Sequence, residues 1–596
     1  MGHRLNERKN IMTPSEKFST IYIDHEQVIT PEHIAAAADG KVKLELSGQT
    51  YNLLAERRKQ VEDYLTGQKY PAYGFNRGFG HNVDLAVKEE DLSQLQENLI
   101  MSHCVGVGEP APDEIVRTTM LLRAWSLSRG YSGVRPRVVE QILDMLNHDI
   151  LPVVPELGSV GASGDLAPLS HIALGMLGKG KVKYRGELMD AADALKKAGL
   201  KPLKLQMKEG LALNNGVQYM TAIGLHCCRQ MQVLLKTAAV QTAMTAQVML
   251  APETPFRKDL HQLRPHPGAV KVAGWIYELM KDSPLREAHR DYRIDGEIQD
   301  PYNIRCAAQI LGSCAELIDE CQAVLLREAN SVTDNPLLLP ASEEYGWDKN
   351  DPFYGQYVDI VSGGQFHGMP VAVRIYNLFQ AMGIMAGLVN RRCARYVDAN
   401  QNKGLGRDLK WPDLNEEQRA ISNSMMMLEY TSASLANSIW GEVMPNHLFN
   451  ISTNTGQEDH VSMGTDPAVR VMKTMPKMAQ LLAIELAYIS QAAAIRKRLP
   501  HIPSKVPIYE EIRKKLADMQ KDLQSSETRF DLEIQLLEHY PITPEQRKLN
   551  PVCENILSRV SEIFPPVTKD RPFDAELREL SRFISEGFIV EMVTGL

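Results

Sequence analysis

Ala162-Ser163-Gly164 is the tripeptide of this 596-residue chain best suited to making a reactive group that the ordinary side chains lack. It sits in Gly158-Ser-Val-Gly-Ala-Ser-Gly-Asp-Leu-Ala-Pro-Leu-Ser-His171, where glycines and serines crowd the first seven positions. Backbone this rich in glycine folds back on itself at low steric cost. The nitrogen of Gly164 could then approach the carbonyl carbon of Ala162. Ring closure with loss of water, together with dehydration of Ser163, would give a five-membered imidazolone carrying an exocyclic alkene, a strong electrophile. Locally a second reading stands beside it: a glycine-rich turn, an N-cap at Asp165 and a helix.

Other residues with chemistry to offer lie far away in the chain. Tyr73 opens Tyr73-Gly-Phe-Asn-Arg-Gly-Phe-Gly80, a loop that either presents a phenol and backbone amides to a ligand or is a surface turn. Ser102-His103 ends a helical stretch. Leu213-Asn-Asn-Gly216 offers Asn215 for polar recognition or for capping. Tyr302 and Arg305 are spaced i,i+3, so a helix would put them on one face, where the guanidinium could hold a carboxylate bidentately. Phe366 lies in the polar loop Ser362-Gly-Gly-Gln-Phe-His-Gly368, and Gln457 and Glu458 lie in Thr453-Asn-Thr-Gly-Gln-Glu-Asp-His460.

Several standard chemistries are excluded. Around Ser163 the second glycine comes one place too early for a nucleophile elbow, and around Ser159 the first position is Leu157. No Gly-x4-Gly-Lys-Ser/Thr phosphate loop occurs. The eight cysteines show no Cys-x-x-Cys spacing and there is no His-Glu-x-x-His, so no metal site is expected.

The elements that must position these residues read as helices. Helical spacing recurs at 51–65, 92–103, 217–250, 306–330 and 425–439, from Gly368 through Asn390, and near 478–498, the last without an internal proline. Thr30-Pro31 is a good helix start, 42–46 alternates like a short strand, and 179–199 reads as a hairpin. Further helices are expected at 506–523, 528–538 and 574–585. Apolar content of 44% with only 6% aromatics and 26 methionines suits long packed helices. The expected fold is therefore mainly α, a central bundle of long helices with glycine-rich active-site loops. The expected divisions are an N-terminal arm (1–20), a domain carrying the reactive loops (21–220), the long-helix bundle (221–500) and a C-terminal helical extension (501–596). A net charge of −8 without basic blocks argues against nucleic acid or an anionic membrane as partner. The polar N-terminus lacks an apolar signal core. Arg374, Lys477 and Glu485 interrupt the most apolar runs, so a cytoplasmic protein is expected.

Taken in order, the motifs resemble the histidine, phenylalanine and tyrosine ammonia-lyase and aminomutase superfamily. The segments that carry the resemblance are the Tyr73 loop, Gly161-Ala-Ser-Gly-Asp-Leu-Ala-Pro-Leu169, Glu209-Gly-Leu-Ala-Leu-Asn-Asn-Gly216, Gln299-Asp-Pro-Tyr-x-x-Arg305, Asp334-Asn-Pro336, Phe366-His-Gly368 and Gln457-Glu-Asp-His-Val-Ser-Met463. The resemblance implies a histidine/phenylalanine ammonia-lyase-like fold. It also implies a methylidene-imidazolone (MIO) cofactor made from Ala162, Ser163 and Gly164, with no metal and no nucleotide. Tyr73 would be the base that removes the substrate's β hydrogen, and Arg305 the carboxylate clamp. Tyr302 and Asn215 would contact cofactor and substrate, and Phe366 would pack near the ring. A homotetramer with sites shared between subunits is implied as well.

Ser102-His103 falls at the family's selectivity pair, and Gln457-Glu458-Asp459-His460 resembles the histidine enzymes. A carboxylate at Glu458 can accept an imidazole N–H but would be poorly compensated beside a phenyl ring. L-Histidine is thus the expected substrate and urocanate the product. The alternatives are a tyrosine or phenylalanine lyase, a 2,3-aminomutase and, remotely, a non-catalytic helical scaffold. Arg77 and Gln365 depart from the family's usual Thr and Asn.

Overall fold

A computed structural model describes residues 19–67, 72–77, 87–288, 299–449, 451–499, 514 and 543–593. Residues 1–18, Gly78-Phe79-Gly80 of the Tyr73 loop and the expected helices at 506–523 (Lys514 apart) and 528–538 lie outside the described residues. The chain is mainly helical, as expected, and the strands among the described residues form only two- and three-stranded sheets. It divides into two compact units.

The first unit comprises 1–226, 321–376 and 445–470. Thr30 caps the helix Pro31–Ala38 by accepting from the His33 N–H, and Pro31 occupies its first turn. Strand Lys43–Leu46 pairs in parallel with Thr20–Ile23. The expected hairpin is Lys181–Tyr184 against Glu187–Asp190, with Ile150–Pro152 added at its edge. Almost every side chain from Ile115 to Ser128 of the helix Asp113–Ser128 is buried, which makes that helix the core of the unit. The helix Leu166–Met176 packs against both Leu92–His103 and Glu209–Asn214. That packing matters for the chemistry: His103 ends one of these helices, Asn215 follows another, and the Ala-Ser-Gly tripeptide precedes the third.

The second unit comprises 227–320, 377–444 and 471–596 and contains most of the long helices Gln218–Val248, Met369–Val397 and Thr465–Arg498. Inside it Arg392 and Glu485 form a fully buried, two-pronged ion pair, Nη2 to Oε2 at 2.8 Å, and Arg392 Nη1 also donates to Thr242 Oγ1 at 2.9 Å. Tyr396 stacks on Tyr488 at 5.4 Å and donates to Thr245 Oγ1. Such a pair survives burial because each charge finds matched partners. The helix expected near 478–498 begins at Thr465 and runs through Pro476. An interior proline costs about 3 kcal/mol; here Met475, Met478, Ala479 and Leu482 around it are buried, and that packing outweighs the lost bond. The helix Asp574–Ser585 forms as expected.

Met369–Val397 and Thr465–Arg498 are long and apolar enough to cross a membrane by length and composition alone. Their most apolar windows are 67% and 89% buried within the protein, as core helices are.

Candidate active site

The loop around the tripeptide is held by backbone contacts that only glycine permits. Gly161 and Gly164 have φ of +65° and +74°, in the left-handed region. A Cβ on Gly164 would overlap the Gly216 carbonyl, and one on Gly161 would overlap Ser462 Oγ. Gly164 bridges to Gly216, and the Asp165 N–H donates to Gly216 O at 2.6 Å. The Met463 N–H donates to Val160 O at 2.9 Å, and the Gly368 N–H to Gly161 O at 3.1 Å. Three separate segments therefore fix the fold of this loop.

Asp165 occupies the N-cap position of Leu166–Met176, but its carboxylate makes no capping bond. It accepts from Thr465 Oγ1 at 2.7 Å, Ser159 Oγ at 2.9 Å and the Met220 N–H at 2.9 Å. These donors claim both oxygens. Complete burial pushes the carboxyl up to about 6, against the pull of those hydrogen bonds.

Ser163 connects two of the distant residues. Asn215 Nδ2 donates to the Ser163 carbonyl at 2.8 Å, and the Ser163 hydroxyl donates to Glu458 Oε1 at 2.7 Å. Asn215 is itself positioned by the buried Arg123, whose Nη1 donates to the Asn215 carbonyl at 3.1 Å and to Gln218 Oε1 at 2.9 Å. Asn215 thus does more than end its helix: its side chain reaches the tripeptide.

His103 ends the helix Leu92–His103, and its Nδ1 lies 2.8 Å from the Leu99 carbonyl. A carbonyl only accepts, so Nδ1 carries the proton and Nε2 keeps its lone pair. Burial holds the imidazole below its ordinary pKa, which favours the neutral form. Ser102 donates to Leu99 O at 3.1 Å and is exposed. Tyr73 is half-buried in a turn closed by the Phe75 N–H to Ala72 O, and Phe75 anchors that turn in a core with Val61, Ala72 and Leu338.

These groups face a cavity of about 630 Å³, the size range of small-molecule sites. Of the expected residues, Tyr73, His103, Ala162, Ser163, Asn215, Phe366, Gln457 and Glu458 line it. Ser102 and Gly164 do not, although Gly164 is next to the lining through Ser163. Tyr302 and Arg305 do not line it either. They lie on the short helix Tyr302–Arg305, share a face as their spacing predicts, with the guanidinium 5.0 Å from the Tyr302 ring, and Tyr302 is 68% exposed.

The cavity also includes Leu99, Asn335, His367 and His460, which the sequence reading did not single out. Asn335 follows Asp334, which pairs with the fully buried Lys208 at 2.8 Å, and Lys208 also donates to the Asn335 carbonyl. His367 accepts from the Met369 N–H at Nδ1 and donates from Nε2 to His460 O at 2.9 Å.

The tripeptide fits ring closure. Ala162 and Gly164 are buried and small, and the loop is fixed by bonds from outside it. The carbonyl that would become the ring oxygen already receives a donor from Asn215. No cluster of metal-ligating side chains occurs among the described residues.

Comparisons with known proteins identify the family of the chain. The chain belongs to the aromatic amino acid lyase family, whose model matches residues 29–514, and it is a carbon–nitrogen lyase. It is 38% identical over 480 residues to a histidine ammonia-lyase of Natranaerobius thermophilus, covering 80% of this chain and 90% of that one. The crystal structure of a histidine ammonia-lyase from Trypanosoma cruzi superposes with a TM-score of 0.76 at 27% identity, covering 96% of this chain and 95% of the other. A Pantoea agglomerans phenylalanine aminomutase superposes at 0.78, also at 27% identity, over 95% and 98% of the two chains.

Proposed function

We propose that this enzyme eliminates ammonia from L-histidine to give urocanate, using an MIO group formed from Ala162-Ser163-Gly164. The reading is supported above all by the position of Glu458, whose Oε1 lies 2.7 Å from the Ser163 hydroxyl that dehydration would remove, in a cavity also lined by Tyr73 and His103. The MIO group supplies an electrophile that makes the substrate's ammonium a better leaving group. The rest falls to the chain's own side chains. The Tyr73 oxygen, acting as the phenolate, takes the β proton as the Cα–N bond breaks, the Cα–Cβ double bond forms and ammonia departs. Asn215 polarises the Ser163 carbonyl. Glu458 Oε1 and His103 Nε2 are acceptors suited to an imidazole N–H, and a phenyl ring would offer a donor to neither. Phe366 packs beside the substrate ring, and Gln457 adds a polar contact.

Arg305 holds the substrate carboxylate, with Tyr302 beside it. As the family resemblance implies, the working enzyme is a homotetramer with shared active sites, in which another subunit provides these two residues. The enzyme acts in the cytoplasm. A second reading, an aminomutase that returns ammonia to the β carbon, draws on the likeness to the Pantoea enzyme.

Intact-protein mass tests the cofactor. The purified chain should weigh two waters less than its sequence, and Ser163→Ala should show the full sequence mass with no turnover. A wild-type chain at full mass would overturn the proposal.

A further inference from the structure

Before Ser163 is dehydrated the carboxylate of Glu458 is held at both ends, and only the partner outside the tripeptide would remain afterwards. Thr453 Oγ1 donates to Glu458 Oε2 at 2.6 Å, while Ser163 occupies Oε1. A carboxylate has no proton to give, so the threonine hydroxyl is the donor. The same two residues are joined through the backbone. The Thr453 N–H donates to Glu458 O at 3.0 Å, and the Glu458 N–H to Thr453 O at 3.3 Å, as an isolated antiparallel bridge. The turn between them is tight. Asn454, Thr455 and Gly456 all have positive φ, from 49° to 92°. Neither Thr453 nor Glu458 is buried, so core packing does not fix the rotamer of Glu458. A free glutamate in that setting would sample several side-chain rotamers.

We infer that Thr453 is a positioning residue that fixes the carboxylate of Glu458 so that Oε1 faces the tripeptide and the substrate ring. This rests on the proposed role of Glu458 toward histidine. Thr453 does not line the cavity and acts only through Glu458. With Oε2 occupied, the charge stays on the turn and a single oxygen is directed inward. Hydrogen bonds to charged groups are worth enough that losing one costs roughly tenfold to a hundredfold.

The test compares Thr453→Val, Thr453→Ser and Glu458→Gln in the full-length enzyme, using kcat and KM for L-histidine, intact mass and melting temperature. Thr453→Val keeps the shape and removes the donor. It should lower kcat/KM by about tenfold or more while keeping the two-water mass loss and the wild-type melting temperature. Thr453→Ser restores the hydroxyl and should recover most of that loss. If Thr453→Val matches wild type while Glu458→Gln is impaired, or if Thr453→Ser is as damaged as Thr453→Val, the positioning role is wrong and the proposed function stands. If Glu458→Gln also turns over histidine normally, the reading of Glu458 falls, and the role of Thr453 falls with it.

Discussion

Ser163 and Glu458 stand 295 positions apart in the chain, and the hydroxyl of the first donates to the carboxylate of the second at 2.7 Å. That contact puts a carboxylate beside Ser163, the residue proposed to become the electrophile. Glu458→Gln keeps the shape but removes the charge and half the acceptors. It should lower kcat/KM for L-histidine by about tenfold to a hundredfold and narrow the preference for histidine over tyrosine. Steady-state kinetics on both amino acids measures this, and equal losses on the two would contradict an imidazole-specific role.

Asn215 makes a different kind of contact, to the Ser163 carbonyl. A donor directed at an oxygen that gains charge during reaction typically contributes about a hundredfold to a thousandfold in rate. Asn215→Ala should therefore lower kcat by about that factor, with a smaller change in KM. A variant affected only in KM would place Asn215 in ground-state binding instead.

The buried Asp165 carries a pH signature. Its carboxyl is raised by burial from an ordinary 3.8 to about 6. The folded chain therefore holds that proton at pH values where the unfolded chain has released it. The resulting contribution to stability is fully present below pH 3.8 and is lost as pH rises through about 6. Infrared difference titration should show a carboxylic C=O band disappearing near pH 6 and missing from Asp165→Asn. A band that titrates near pH 4 would show a solvated carboxyl.

The proposed homotetramer with shared sites makes a prediction about mixtures. Ser163→Ala and Arg305→Ala subunits should each be inactive or severely impaired alone. Co-expressed and purified as mixed tetramers, they should regain part of the activity, because some sites then combine an intact tripeptide with an intact Arg305. Activity no higher than the sum of the two parents would mean that each site is built within one chain.

Much of this was legible in the sequence, for reasons visible at particular residues. The long helices follow from uninterrupted apolar spacing, and Thr30-Pro31 marks a helix start that forms as expected. Pro476 is the exception, because proline's local penalty says nothing about the buried methionines around it. In the pair Ser102-His103, adjacent residues on a helix point about 100° apart, so His103 lines the cavity while Ser102 faces solvent. Leu99 sits one turn before His103 and follows from the same spacing. His367, His460 and Asn335 were within motifs already noted, but nothing local distinguishes a wall residue from its neighbour. The carboxylate of Asp165 left its capping role because donors from Ser159, Met220 and Thr465 converge on it, and convergence of distant segments has no local signal.

The most direct measurement of the central claim is product identification after the purified enzyme is incubated separately with L-histidine, L-tyrosine and L-phenylalanine. Urocanate and ammonia in equal amounts from histidine, with little or no conversion of the other two, is the predicted result. A β-amino acid product, or preferential conversion of tyrosine or phenylalanine, would contradict it.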